Sequence, residues 1–210
     1  MRRPSVAVID YGIGNLHSAH KALLCVGADA VLTADPEVIA STDAVVLPGV
    51  GNFGACMEAI RSHNLEGPIN RAIASGRPFL GICVGMQMLF ESSDESPGAP
   101  GLGVFAGTVR WLPHSVKRPQ MQWNRLAITR PDLVIGSDSS ADQWMYFVHS
   151  LAAVPVESEI IAATVDYGGD VVAACRRENI LATQFHPEKS SVAGLALLER
   201  WVLSVRGEQA

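Results

Sequence analysis

Four short apolar runs in the first 83 residues, separated by stretches of helical periodicity, constrain this chain more than any other feature. "SVAVID" (5–10), "AVLTA" (30–34), "DAVVLPGVG" (43–51) and "RPFLGIC" (77–83) are continuous or nearly continuous apolar runs, the pattern of strands covered on both faces. Between them, "NLHSAHKALLCVG" (15–27) places Leu16, Ala19, Leu23 and Val26 on one helical stripe, with Gly27 where the helix would stop. "ACMEAIRSHNL" (55–65) is helical, and "VGMQMLFE" (84–91) opens another helix. Strands alternating with helices predict an α/β fold with a parallel sheet flanked by helices.

The second half has a different texture. Residues 92–103 are rich in Pro, Gly, Ser and acid and read as a loop. "LGVFAGTVRWL", "QMQWNRLAIT", "QWMYFVHSL", "SEIIAATVDYG", "DVVAACRREN" and "ILATQFH" follow as short strands divided by turn residues. They predict an antiparallel extension of the same unit, so that residues 1–210 form a single domain with a central, mostly parallel sheet. "SSVAGLALLERWVLSVRG" closes as a helix with an apolar stripe of Val192, Leu195, Leu198, Val202 and Val205, Ser191 as N-cap and Gly207 as stop.

Composition narrows the function. The net charge is −5 and no Lys/Arg run exceeds two, which argues against nucleic acid or anionic lipid as partner. No uncharged run exceeds 14 residues, and the run "AVVLPGVGNFGACM" is interrupted by Pro48 and three glycines, so no membrane span is expected. The apolar stretch near the N-terminus stops at Asp10, too short for a signal-peptide core. The cysteines (Cys25, Cys56, Cys83, Cys175) form neither a C-x-x-C pair nor a zinc-spaced cluster. A reducing cytoplasm, with no disulfides and no metal, is the simplest reading.

A free cysteine is more often packing than chemistry, and Cys25, Cys56 and Cys175 are read that way. Cys83 differs. It sits in G-x-C-x-G after a strand and before a helix, the pattern of a nucleophile elbow, with Gly81 and Gly85 relieving crowding at the reversal. The N–H groups and dipole of the following helix would favour thiolate. The base would be His186, in "TQFHPEKS". If the segment is extended, Glu188, two residues on, faces the same way and can orient the imidazole. His17, His20, His63 and His114 read as surface residues. Taken alone, His186 and Glu188 could equally be a solvated loop pair; together with the elbow they suggest a Cys–His–Glu triad. The Gly-rich "LPGVGNFG" (47–54) lacks G-K-[ST], so it is no P-loop. It is either a plain turn or the source of an oxyanion N–H from Val50 or Gly51, with Val84 N–H as the second donor. A non-catalytic module binding a nucleotide or a redox signal at Cys83 remains open on the glycines alone.

"GICVGMQMLFE", "TQFHPEKS" and "PGVG" together resemble the class I (triad-type) glutamine amidotransferases. "VIDYGIGNLHSAHKAL", "GLGVFAG" and "MYFVHS" extend the likeness along the whole chain to the glutaminase subunits of the imidazole glycerol phosphate synthases. The resemblance implies that Cys83, His186 and Glu188 hydrolyse glutamine through a thioester. It implies that Gln87 and Glu95 grip the polar ends of glutamine, that Ser150 lines its pocket, and that no cofactor is needed. It further implies a heterodimer with a (β/α)₈-barrel cyclase that receives the ammonia for histidine biosynthesis, with Trp123, Asn124 and Lys189 facing that partner. A rotation of the "PGVG" peptide is the switch the resemblance suggests, one that Gly49 and Gly51 would ease. Departures from the family pattern lie in "PQMQWN" (119–124), where Gln120 and Gln122 replace His and Gly, and at Leu151, where Tyr is usual. They leave room for a subunit of another class I amidotransferase with a different acceptor.

Overall fold

The computed structural model describes residues 2–14, 16–136 and 143–207. In chain order the first half runs β1 (Ser5–Ile9), α1 (Leu16–Cys25), β2 (Asp29–Thr33), α2 (Pro36–Ser41), β3 (Ala44–Gly49), α3 (Phe53–Ser62), α4 (Glu66–Ala74), β4 (Phe79–Cys83) and α5 (Val84–Gln87). It continues β5 (Phe90–Ser93), β6 (Phe105–Trp111), β7 (Gln120–Arg125), β8 (Ala127–Ile128), β9 (Trp144–His149), β10 (Leu151–Pro155), β11 (Ile161–Asp166), β12 (Asp170–Arg177), β13 (Ile180–Thr183) and α6 (Ser191–Val205).

Among the described residues, an eight-stranded sheet in the order β2-β1-β3-β4-β13-β12-β11-β8 forms the centre. Its first five strands are mutually parallel; β12, β11 and β8 add antiparallel to one side. The predicted α/β fold, with a mostly parallel sheet and an antiparallel extension, is what the chain adopts. The apolar runs became the central strands because helices cover both faces: β3, β4 and β13 are buried at every position. The extension is not one sheet. β10-β6-β5 and β7-β9 form two smaller sheets beside the main one.

Several elements differ from expectation. The helix predicted over 84–91 lasts one turn, and Phe90 already begins β5. The cause is tertiary: Leu102, Val104 and Gly101 N–H donate to the carbonyls of Met88, Leu89 and Glu91, which a longer helix would have used itself. Phe90 then pairs with Phe105, their rings 5.5 Å apart. Two helices were not anticipated. α2 is announced by "DPE": Asp35 accepts from Glu37 N–H at 2.9 Å and Pro36 sits at the first turn. α4 carries Gly67 and Pro68, which obscure its periodicity.

In α1 the buried stripe is Leu16, Ala19, Ala22 and Leu23; Val26 lies beyond its end, and Asn15, where the sequence suggests a start, lies outside the described residues. In α6 the buried face is Gly194, Leu197, Leu198, Trp201 and Val202. Val192 is 79% exposed, so the expected stripe is rotated toward Trp201, the largest apolar surface available to the core. The cap is Ser190, one residue earlier than expected, and Gly207 does close the helix at φ 70°. Cys25, read as packing, is exposed.

Candidate active site

Cys83 ends β4 with φ 54° and ψ −110°, a backbone conformation that costs a residue with a side chain on the order of 1–3 kcal/mol. The surrounding glycines show why the chain accepts it. A Cβ on Gly85 would stand 1.9 Å from the Leu47 carbonyl oxygen, and one on Gly49 would stand 2.7 Å from Gly85 N. The turn after Cys83 therefore lies backbone to backbone on β3, and only glycine permits the approach. Because α5 is a single turn, it offers the sulfur its own first N–H groups rather than the summed dipole of a long helix. Gly49 is the ladder partner of Cys83, so the Gly-rich loop leaves β3 directly beside this cysteine.

His186 enters from the neighbouring strand. β13 runs parallel to β4, with Thr183 opposite Ile82, and the chain then passes the end of β4. The segment is not extended as the sequence reading supposed: Pro187–Lys189 form one turn of 3₁₀ helix. Glu188 meets the imidazole all the same, with its Oε1 2.7 Å from Nδ1 and both side chains almost wholly buried. Ser190 Oγ donates to the His186 carbonyl at 2.6 Å, and His186 N–H donates to the Tyr146 carbonyl at 3.0 Å, which fixes the backbone that carries the ring. With Nδ1–H given to Glu188, Nε2 is the nitrogen left for Cys83. It makes no aligned hydrogen bond, yet it is close enough to feel the sulfur. Burial works against the imidazolium, but Cys83 and then Glu188 outweigh it and raise His186 from 6.5 to about 9.

Cys83, Val84 and His186 open onto a cavity of about 390 Å³, a size suited to a small metabolite. Val50, Gly51, Gln87, Glu95, Ser150 and Lys189 line it as well. Gln87 is buried and its Nε2 donates to Gln184 Oε1 at 3.0 Å and to the Leu151 carbonyl at 3.2 Å. Glu95, half-buried rather than freely solvated, accepts from Phe53 N–H through Oε2 at 2.7 Å. Trp123 and Asn124 lie elsewhere, on β7. Trp123 is 44% exposed and stacks edgewise on Tyr146 at 6.0 Å, while Asn124 Nδ2 donates to the Asp166 carbonyl. Of the unusual residues, Gln120 is fully buried, Gln122 is exposed and Leu151 is buried in β10.

Three residues around the site were not singled out from sequence. Gln184 Nε2 points at Cys83 Sγ from 3.7 Å; it lies two residues before His186, a spacing that would have flagged it. Tyr11, fully buried, donates its hydroxyl to the Pro48 carbonyl at 2.8 Å and so braces the Gly-rich loop. His149, the remaining one of the six histidines, lines the cavity. Its alternation with buried Met145 and Phe147 was the signal for it.

The model of the family "Glutamine amidotransferase class-I" matches residues 7–205. The chain is 48% identical over 204 residues to the imidazole glycerol phosphate synthase subunit HisH of Trichodesmium erythraeum, covering 96% of this chain and 95% of the relative. It is 46% identical over 209 residues to the subunit of the same name from Synechococcus elongatus, covering 98% and 96%. Among solved structures, one described as a glutamine amidotransferase superposes with a TM-score of 0.71 at 22% identity over 96% of this chain and 98% of that one. The structure of PurLQS from Thermotoga maritima gives 0.74 at 17% identity, over 98% and 99%. These structures establish the fold.

Proposed function

The chain belongs to the class I glutamine amidotransferases, and from that membership we propose that it is the glutaminase subunit of an imidazole glycerol phosphate synthase, acting as one amidotransferase domain through Cys83, His186 and Glu188. The observation that carries the reading is the arrival of a buried His186–Glu188 pair, 2.7 Å apart, beside a cysteine held at positive φ on the adjoining strand end.

Cys83 passes its thiol proton to His186 Nε2, and its Sγ adds to the side-chain carbonyl of glutamine. The resulting oxyanion is held by Val84 N–H and by Val50 or Gly51 N–H from the loop beside it. His186 Nε2 then gives its proton to the departing amide nitrogen, so that neutral ammonia leaves and a γ-glutamyl thioester remains. Water, losing a proton to His186, cleaves the thioester to glutamate and restores Cys83. Glu188 keeps Nδ1–H engaged throughout. Glu95 and Gln87 hold the polar ends of the substrate, and Ser150 forms part of the wall.

The ammonia would pass to a cyclase subunit of (β/α)₈-barrel form in a cytoplasmic heterodimer, docked over the face that carries Trp123, Asn124 and Lys189. The exposure of Met121, Trp123 and Trp144 together on β7 and β9 supports a covered surface there. The extent of identity to the HisH relatives favours this acceptor over that of another amidotransferase. The test is Cys83→Ala in the complex. Glutamine-dependent synthesis should vanish while added ammonium salt still supports it, and loss of both with the complex intact would refute the assignment.

A further inference from the structure

Behind the cavity wall at His149 lies a buried polar corner that the proposed triad chemistry does not use. Gln120 on β7 and His149 on β9 are direct partners in the antiparallel ladder, so their side chains stand on the same face. Gln120 is 0% and His149 6% exposed. Gln120 Nε2, Gln120 Oε1 and His149 Nε2 have no hydrogen-bond partner among the described residues. Three such atoms on one cross-strand pair are rare in a folded chain and ask for an occupant.

The chemistry of the corner defines that occupant. His149 Nδ1 lies 2.8 Å from the Leu151 carbonyl, which can only accept, so Nδ1 carries the proton and Nε2 presents a lone pair. Burial keeps the ring neutral, pulling it down to about 4. Gln120 presents one acceptor and an N–H donor, whichever way its amide is turned. A guest must therefore donate to two acceptors and accept from one donor. An anion fails against the two lone pairs. Ammonium and metal cations fail against the amide N–H. A small neutral hydride, water or ammonia, satisfies all three. Pro119, His149 and Ser150 border the same cavity as Cys83 and His186, where ammonia is released if the glutaminase assignment holds.

We propose that Gln120 and His149 form a binding site for one ammonia molecule, the first stop of the product after it leaves the thioester. The proposal rests on the glutaminase reading for the origin of the ammonia, but binding can be tested without turnover. The ¹⁵N resonance of His149 Nε2 is followed in the full chain during titration with ammonium chloride, at an alkaline pH rich in free NH₃ and at an acidic pH nearly free of it. A saturable shift that follows free NH₃ and not total salt, and that disappears in Gln120→Leu, is expected. Absence of any NH₃-dependent shift in the unmodified chain would overturn the proposal and assign the corner to water. In the complex, Gln120→Leu should release several-fold more ammonia to the medium per product formed, and Gln120→His, which again offers a donor and an acceptor, should restore capture. Equal capture in Gln120→Leu would likewise overturn it. If glutamine is not hydrolysed at all by the complex while the NH₃ titration still saturates, the glutaminase reading fails and the site stands.

Discussion

Replacing Glu188 by Gln tests the electrostatics of the proposed triad with little change of shape. His186 lies at about 9 against an ordinary 6.5, a difference of ~3 kcal/mol in favour of the imidazolium. Burial opposes that charge, so Cys83 and Glu188 together supply more than the net figure. A charge-assisted hydrogen bond of the kind made at 2.7 Å contributes ~1.5–3 kcal/mol. Its loss should bring His186 down by about 1–2 pH units. The sign of the stability effect follows. A histidine raised on folding contributes stabilisation that is fully present below its unfolded value of 6.5 and is lost as pH rises through about 9. Glu188→Gln should therefore be less stable than the parent below about pH 6.5, with the gap closing toward alkaline pH. Imidazole NMR titration reads the midpoint, and urea unfolding at several pH values reads the stability. Glutamine hydrolysis should fall ~10²–10⁴-fold, as when a general acid–base loses its partner. A His186 midpoint that stays at its parent value in the variant would refute the argument.

Three further outcomes are expected. Cys83→Gly should abolish hydrolysis yet stabilise the fold by about 1–2 kcal/mol in chemical denaturation, because φ 54° costs glycine nothing; equal or lower stability would deny the strain. Gly85→Ala should destabilise by more than ~3 kcal/mol, seen as a lowered melting temperature or loss of soluble protein, since its Cβ would meet backbone at 1.9 Å; parental stability would contradict the close approach. A small alkylating reagent should modify Cys25, which is exposed, and Cys83 in its cavity. It should spare Cys175, whose burial raises its thiol to about 12, and Cys56, raised by burial as well; peptide mass mapping reads the pattern.

The central strands were legible because a strand buried on both faces writes itself as an unbroken apolar run, as in Ala44–Leu47 and Phe79–Cys83. The elbow was legible because backbone contact leaves glycine as the only residue at Gly85. The end of α5 was not, because it is decided by N–H groups of residues 101–105 that donate to the carbonyls of residues 88–91, which no local period records. The pairing of His186 with Glu188 was expected for an extended segment and is achieved in a turn instead. Gln184, just past β13, and His149, at the end of β9, escaped notice because a polar residue at the end of an apolar strand reads as its terminus, although spacing to His186 and alternation with Met145 and Phe147 mark them. Gln120 was legible only as a departure from the family pattern, and its meaning depends on the strand that lies across from it.

The position of β13 has a consequence for how the molecule comes into being. It is among the last strands to leave the ribosome, yet it must enter the middle of the main sheet, between β4 and β12, pairing Ile180 with Phe79 across about half the chain. Closing so long a span is entropically costly and slow. Until it closes, Cys83 stands without the His186 that the proposed mechanism gives it as base. On that mechanism a nascent or truncated chain carries a mute thiol, and competence to hydrolyse arrives only with the final docking step, together with the completed core.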